Sequence, residues 1–386
     1  MRLALRLAER GYGTASPNPM VGAVLVKGGK TIGRGWHRRA GGPHAEIEAL
    51  RDAERHGYKV KGATLYVTLE PCSTQGRTPP CTKAICESGI RNVVVGATDP
   101  NPKHAGAGFK LLEKAGIEVV SGMLAADCAS LNEAFNHWIV HRTPFVTVKA
   151  AMTLDGKIAT ASGESKWITG EKARAHGMKL RKGADAILVG INTVLADDPS
   201  LTLRVVQSPK SKVQGLKPNS DKSRAGVQSS VTGDSRLRRI ILDSDAKTPL
   251  SARVVADDSR HLTTIVVGPD APRARVAALA KKVRVLEAPV RKGCIDLKWL
   301  LKRLGEEEVT TLLVEGGGQV NASFLLSRLA HKVAFFYAPK VLGGRAARKA
   351  VAGVGVRSAA EGLSLENVEW KTLGKDLLLT ARIASV

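Results

Sequence analysis

One histidine and two cysteines constrain this chain more than any other feature. His44, Cys72 and Cys81 lie far apart in the sequence, yet together they are the donors that suit one tetrahedral Zn²⁺ with its fourth position left to water. A fold that unites them must bring the ends of several elements to one point. His44 follows Pro43, a residue favoured at helix beginnings, and precedes apolar residues at Ile47, Leu50 and Ala53 with helical spacing. It therefore opens a helix predicted over 45–56. Cys72 and Cys81 flank a loop that follows a predicted strand at 63–69, which lets both thiolates reach one ion. Glu46 stands two residues from His44 and need not touch the metal. It is placed to take a proton from the attacking water and deliver it to a leaving group. A purely structural zinc site would close the fourth position with another Cys or His. The spare candidates, Cys86 and His37, lack the spacing: five residues beyond Cys81, Cys86 points away from that ligand on a helix.

The order His-x-Glu, then Pro-Cys, then Cys resembles the signature of nucleobase deaminases, in which the glutamate is the proton carrier and not a ligand. One part departs from it. Eight residues, not two, separate Cys72 from Cys81.

The chain has 386 residues, which favours two domains. No apolar run is long enough to cross a bilayer, nothing at the N-terminus resembles a signal peptide, and the five cysteines form no disulfide framework. A reducing cytoplasm is expected. The net charge of +24 invites a nucleic-acid partner, but aromatic residues are only 4% and the basic residues are spread along the chain. A solvated basic surface, lending a few charges to phosphorylated small molecules, is the reading adopted.

The first half alternates helices and strands, predicting an α/β sandwich: helix 2–10, strand 20–26, a Gly28-Gly29 hairpin turn, strand 31–36, helix 45–56, strand 63–69, helix 82–88, strand 92–97, helix 106–115 and strand 118–121. A helix over 132–141 closes this unit, and a domain boundary is placed at 143, dividing 1–143 from 144–386. The second half predicts strands at 145–150, 186–189, 239–243, 263–267, 283–287, 311–315 and 333–338, with helices at 297–304 and 321–328. Residues 205–236, rich in Ser, Lys, Gln and Gly without an apolar period, read as a long, mobile surface loop.

Three clusters in the second half bear on chemistry. Thr311 to Gly318 runs a strand into glycines and a helix, where backbone N–H groups favour a phosphate, although glycines also make ordinary turns and the G-x-G-x-x-G spacing is absent. Asp155-Gly156, Ser165, Trp167 and Thr169 form a polar segment. Thr193, Asp197 and Asp198 follow a buried strand. Taken singly, Trp167 reads as core packing and Asp197-Asp198-Pro199 as a turn at a helix end.

Together these segments resemble the bifunctional riboflavin-biosynthesis deaminase–reductase family over nearly the whole chain. The resemblance is carried by Pro17-Asn18-Pro19, Val21-Gly22, His44-Ala45-Glu46, Glu70-Pro71-Cys72-Ser73, Gly76-Arg77-Thr78-Pro79-Pro80-Cys81 and Asp99-Pro100-Asn101-Pro102. In the second half it is carried by Leu154-Asp155-Gly156-Lys157, Ser162-Gly163-Glu164-Ser165, Trp167-Ile168-Thr169, Thr193 to Pro199 and Val314-Glu315-Gly316-Gly317. The eight-residue spacer is what this family shows.

The resemblance implies a cytidine-deaminase-like α/β/α zinc domain joined to a dihydrofolate-reductase-like α/β domain. It implies deamination of 2,5-diamino-6-(5-phosphoribosylamino)pyrimidin-4-one, then NADPH reduction of the ribosyl to a ribityl chain. By the same resemblance zinc falls on His44, Cys72 and Cys81, and proton transfer on Glu46. Reductase substrate contacts fall on Ser165, Arg181, Leu201, Arg204 and Glu315, the two arginines being forks suited to a 5-phosphate. Cofactor contacts fall on Ala151, Trp167, Thr193, Asp197, Ser244, Gly317 and Gly318. Self-association through the second domain, with no nucleic-acid or membrane partner, is also implied. Thr74 is a departure, because this family often carries a pocket-lining histidine there. The competing reading, a deaminase of tRNA or cytosine, explains the zinc site and the charge but leaves the second half without a role.

Overall fold

The computed structural model describes residues 1–76, 78–102, 104–203 and 236–384. Arg77, Arg204 and all of the expected loop at 205–236 except Arg236 lie outside the described residues.

Two separate sheets organise the chain. The first has the order Lys30–Trp36, Gly22–Lys27, Thr64–Leu69, Asn92–Ala97, Glu118–Val120. Its first two strands form an antiparallel hairpin, turning at Gly28 and Gly29, both at positive φ, where glycine carries no Cβ penalty. The strand Gly22–Lys27 is also antiparallel to Thr64–Leu69, and the remaining pairs are parallel. The helix Arg2–Ala8 covers one face through Ala4 and Leu7 against Val24. The helices Ala45–Arg55, Cys81–Glu87 and Ala107–Lys114 cover the other, with Ala45, Ala49, Ala53, Ile85 and Leu112 in its core. Small residues set how closely the His44-bearing helix approaches. A Cβ at Gly35 would lie 2.1 Å from the Ala45 carbonyl oxygen, and one at Gly33 would lie 2.3 Å from that of Ala49. The alanine stripe and these two glycines let the helix rest almost backbone to backbone on the hairpin, which fixes its N-terminus.

The second sheet has nine strands in the order Arg284–Glu287, Thr263–Val267, Arg238–Leu242, Ala186–Gly190, Thr311–Val314, Phe145–Thr153, Lys332–Ala338, Asp376–Ile383, Leu365–Leu373. The first seven run parallel, and the last two join as an antiparallel hairpin. Helices bury both faces, which is why the central strands are continuous apolar runs rather than alternating ones. Leu188, Leu312 and Val314 pack with Leu300, Leu304 and Phe324 on one side, and Ile187, Val189, Ile241 and Ile265 with Val254 and Leu279 on the other. This is the α/β architecture expected.

The helix Glu133–His141 was expected to close the first unit, but its contacts reach both halves. Asn132 just before it exchanges hydrogen bonds with the Met20 backbone. Trp138 Nε1 then donates to the Gly305 carbonyl at 2.9 Å, and Glu133 pairs with Lys332 and Arg382. His137 meets Phe145 and His331 edge-on. The helix is a bracket between the two sheets.

Candidate metal centre and nucleotide cleft

His44 is the N-cap residue of the helix Ala45–Arg55 in extended conformation, and Cys81 is the first residue of the helix Cys81–Glu87. Cys72 lies just beyond the strand Thr64–Leu69. Three element ends thus bring the donor atoms of His44, Cys72 and Cys81 within 4.8 Å of one another. His44 Nδ1 is 3.5 Å from Cys72 Sγ and 3.2 Å from Cys81 Sγ. A tetrahedral zinc bound by S and N would set such S···N edges at roughly 3.6 Å, so the donor set fits that ion. Cys86 and His37 are not in the cluster.

His44 Nε2 lies 3.3 Å from Thr78 Oγ1, and with zinc on Nδ1 it would carry the proton and donate to that hydroxyl. Such outer contacts fix a ligating imidazole's orientation. Thr78→Val is therefore expected to weaken zinc affinity about tenfold, read by competition with a chromophoric chelator. Thr78 lies in the long spacer, so the spacer was its only sequence signal. Behind His44, His37 is buried with its ring edge-on at 5.2 Å. His37 Nδ1 donates to the Pro43 carbonyl at 3.1 Å, leaving Nε2 to accept from Asn18 Nδ2 at 3.1 Å. Glu70 accepts from the backbone N–H groups of Asp99, Gly106 and Gly108 and so ties those three residues together. Thr74 is exposed.

Glu46 is only 3% exposed. Burial is the largest influence on its carboxyl and pushes its pKa above the ordinary range, against the pull of His44. The thiol pair divides one proton. Cys72 is pulled down to about 4, first by the hydrogen bond from Cys81, and Cys81 is pushed up by the same contact and by burial.

In the second half, a cavity of about 1450 Å³ opens beyond the carboxyl ends of the parallel strands, and Ser165, Thr193, Asp197, Ser244, Gly317 and Gly318 line it. Ligands of open α/β sheets bind in this position. Ser165 Oγ lies 3.5 Å from Asp197 Oδ1. The helix Gly318–Leu326 starts three residues earlier than the expected 321, with Gly317 as its N-cap. The glycines differ in reason. A Cβ at Gly318 would lie 2.2 Å from the Lys349 carbonyl oxygen and one at Gly316 2.5 Å from Val320 Cβ, whereas Gly317 has only Thr193 Oγ1 near, at 3.9 Å. Gly316 and Gly318 are thus set by packing, and Gly317 leaves backbone open to the cleft. That opening, with the helix N-terminus, fits a pyrophosphate. Asp197 ends the helix Ile191–Asp197 and Asp198 caps it at φ 39°, so the turn reading holds while Asp197 also lines the cleft.

Trp167, Leu201, Ala151, Arg181 and Glu315, also expected as contacts, are not among the residues that line this cavity. Trp167 is 62% exposed, which rules out core packing; Arg174 stacks on its ring at 4.6 Å. Leu201 is buried at positive φ, and Ala151 is half-buried beside Ala173 and Phe336. Arg181 does not present a free fork. Its Nε and Nη2 donate to the two Glu315 oxygens at 2.8 and 2.9 Å, and Nη1 donates to the Thr202 carbonyl at 3.2 Å. Lys149 Nζ, a residue no sequence signal singled out, adds a third contact to Glu315 at 3.3 Å.

A zinc-deaminase half joined to a reductase-type α/β half is the class these two sites define. Residues 1–97 match the cytidine and deoxycytidylate deaminase zinc-binding region, and residues 144–379 match the RibD C-terminal domain. The riboflavin biosynthesis protein RibD of Aquifex aeolicus is 43% identical over 98% of this chain and 96% of its own. The crystal form 1 of Acinetobacter baumannii RibD superposes with a TM-score of 0.82 at 33% identity, covering 100% of this chain and 98% of that one. A Thermotoga maritima diaminohydroxyphosphoribosylaminopyrimidine deaminase/5-amino-6-(5-phosphoribosylamino)uracil reductase gives 0.77 at 34% identity, covering 100% and 97%. The chain belongs to the RibD family: it is a bifunctional deaminase–reductase of riboflavin biosynthesis, with a zinc-binding deaminase domain and a dihydrofolate-reductase-like domain that uses a nucleotide cofactor.

Proposed function

We propose that residues 1–143 deaminate 2,5-diamino-6-(5-phosphoribosylamino)pyrimidin-4-one and that residues 144–386 then reduce the ribosyl with NADPH, giving 5-amino-6-(5-phosphoribitylamino)uracil. The observation that carries this reading is the His44–Cys72–Cys81 cluster with buried Glu46 beside it, in one chain with a cleft at the parallel strand ends.

His44, Cys72 and Cys81 would hold zinc, which supplies Lewis acidity that lowers the pKa of water. Glu46 accepts the proton of the attacking water at its carboxylate and returns it to the leaving amino group, so that ammonia departs. In the reductase half a bound dihydronicotinamide would supply hydride. Thr193, Asp197, Ser244, Gly317 and Gly318, which line the cleft, would orient it together with Ala151 and Trp167, and Ser165, Arg181, Leu201, Arg204 and Glu315 would hold the substrate. The Arg181 fork on Glu315 supports a role for Arg181 in fixing that carboxylate.

The exposed edge strand Leu365–Leu373, with Val368 and Trp370 outward, supports self-association through this half. Five free cysteines accord with a reducing cytoplasm, and among the described residues no helix is long and apolar enough to cross a membrane.

The test is purified protein with the diaminopyrimidine ribotide, following ammonia release and NADPH absorbance together. Ammonia should appear first and NADPH oxidation should follow. Release from a tRNA or cytosine, with none from the ribotide, would overturn the reading.

A further inference from the structure

Five cations line the cleft (Arg291, Lys292, Lys298, Arg348 and Lys349) against two acids, Asp197 and Asp296. Three of the cations belong to one corner. The short hairpin Val290–Arg291/Cys294–Ile295 carries Arg291 and Lys292 at its turn, and Lys298 lies in the first turn of the helix Leu297–Glu306 that follows.

This corner is anchored. A Cβ at Gly268, just past the strand Thr263–Val267, would lie 3.1 Å from Val290 Cγ2. Ile295 is buried in the cluster that holds Phe324 of the helix Gly318–Leu326. The hairpin therefore arches from the far side of the sheet back toward the helix whose N-terminus opens at Gly317. Asp296 caps the helix Leu297–Glu306 through Lys298 N and Trp299 N, and also holds Arg291 Nε at 2.7 Å. That ties Arg291 to the helix start while its side chain stays 80% exposed toward the cleft mouth. Lys292 and Lys298 make no ion pair among the described residues.

Like charges gathered at one anchored corner repel, and an anion there removes the repulsion. The two nicotinamide dinucleotides differ by one phosphate monoester, which carries nearly two negative charges. Their shared pyrophosphate suits a helix N-terminus and open backbone, as at Gly317. Across the sheet, the strand ends run from Gly317 through Gly190 and Ser244 to Gly268. An extended dinucleotide seated at Gly317 and running toward Ser244 brings its adenosine end to the hairpin.

We infer that Arg291, Lys292 and Lys298 form the subsite for the 2′-phosphate of the dinucleotide and so select NADPH over NADH. This rests on the reading of the cleft as the cofactor site. The test is calorimetric titration of the full chain with 2′,5′-ADP, 5′-ADP, NADPH and NADH. Wild type should bind the 2′-phosphorylated member of each pair more tightly by at least tenfold. The double variant Lys292→Ala/Lys298→Ala should lose roughly 30-fold in affinity for 2′,5′-ADP and NADPH, while 5′-ADP and NADH stay within about threefold. An unchanged melting temperature excludes misfolding, and Lys292→Ala alone serves if the double variant melts early. Parallel losses for both members of a pair, no loss, or a selective loss seen only in Arg348→Ala/Lys349→Ala would overturn the subsite. Displacement of 2′,5′-ADP by ribose 5-phosphate would also overturn it, assigning the corner to the substrate phosphate. Wild type that binds neither dinucleotide would overturn the cofactor reading itself.

Discussion

Glu46→Gln should release ammonia roughly 100- to 10,000-fold more slowly than wild type, the span that a positioned acid–base group contributes. It should keep its zinc and the proposed NADPH-dependent reduction of the deaminated intermediate. Gln is nearly isosteric, so the buried slot at 3% exposure stays filled, but an amide cannot carry a proton between water and the leaving amine. Zinc retention follows from geometry: the donor group is His44, Cys72 and Cys81, without Glu46. Reduction should persist because the cleft that supports it is lined by residues from Ile158 onward. Ammonia release, metal content and NADPH absorbance on one preparation separate the outcomes. Equal ammonia release would remove the proton-carrier role, and loss of zinc would recast Glu46 as a group that holds the ligands in place.

Much of the deaminase centre was legible because its chemistry is written in residue types that have few alternatives. Pro43 and the period of Ile47, Leu50 and Ala53 placed His44 at a helix N-terminus, where it stands. What supports the centre was not legible. Thr78, His37 and Asn18 act through contacts across the fold, and nothing in their local sequence marks which hydrogen bond each makes. The second sheet's inner strands announced themselves as apolar runs because both faces are buried. Its outer hairpin, Leu365–Leu373 with Asp376–Ile383, went unread because the edge strand is exposed nearly throughout and so lacks a buried alternate face. The helix Glu171–Lys182 buries only Ala173 and Gly177, too narrow a stripe to rise above its charges. The glycine run at 316–318 was legible as a turn, but only packing distances separate the two glycines required by neighbours from the one that opens to the cleft. The resemblance assigned Arg181 to the substrate and its fork suited a phosphate, but no sequence signal showed that the fork holds Glu315, 134 residues away.

That pairing sets the second large effect, on stability and on reduction together. Burial would raise the pKa of Glu315, but Lys149 and Arg181 outweigh it and hold the carboxyl at about 2 against an ordinary 4.5. A folded pKa below the unfolded one stabilises the fold above the unfolded value and loses that contribution as pH falls through the folded one. From those two values the contribution is about 3 kcal/mol at neutral pH, present above roughly pH 4.5 and lost toward pH 2. Glu315→Gln leaves Arg181 and Lys149, whose side chains are 13% and 19% exposed, without their anion. Breaking a buried pair from one side costs about 3–5 kcal/mol. Urea unfolding followed on the reductase half at pH 7 should therefore show Glu315→Gln less stable by about 3 kcal/mol, with the gap to wild type narrowing as pH falls from 4.5 toward 2. Reduction should fail while ammonia release continues. Arg181→Lys, with Glu315 intact, keeps the charge but not the two-pronged contact, so it should retain part of the stability and little of the reduction. A Glu315→Gln protein as stable as wild type at pH 7 would show that the ion pair does not hold the fold, and if it still failed to reduce, the carboxylate's work would be on the substrate alone.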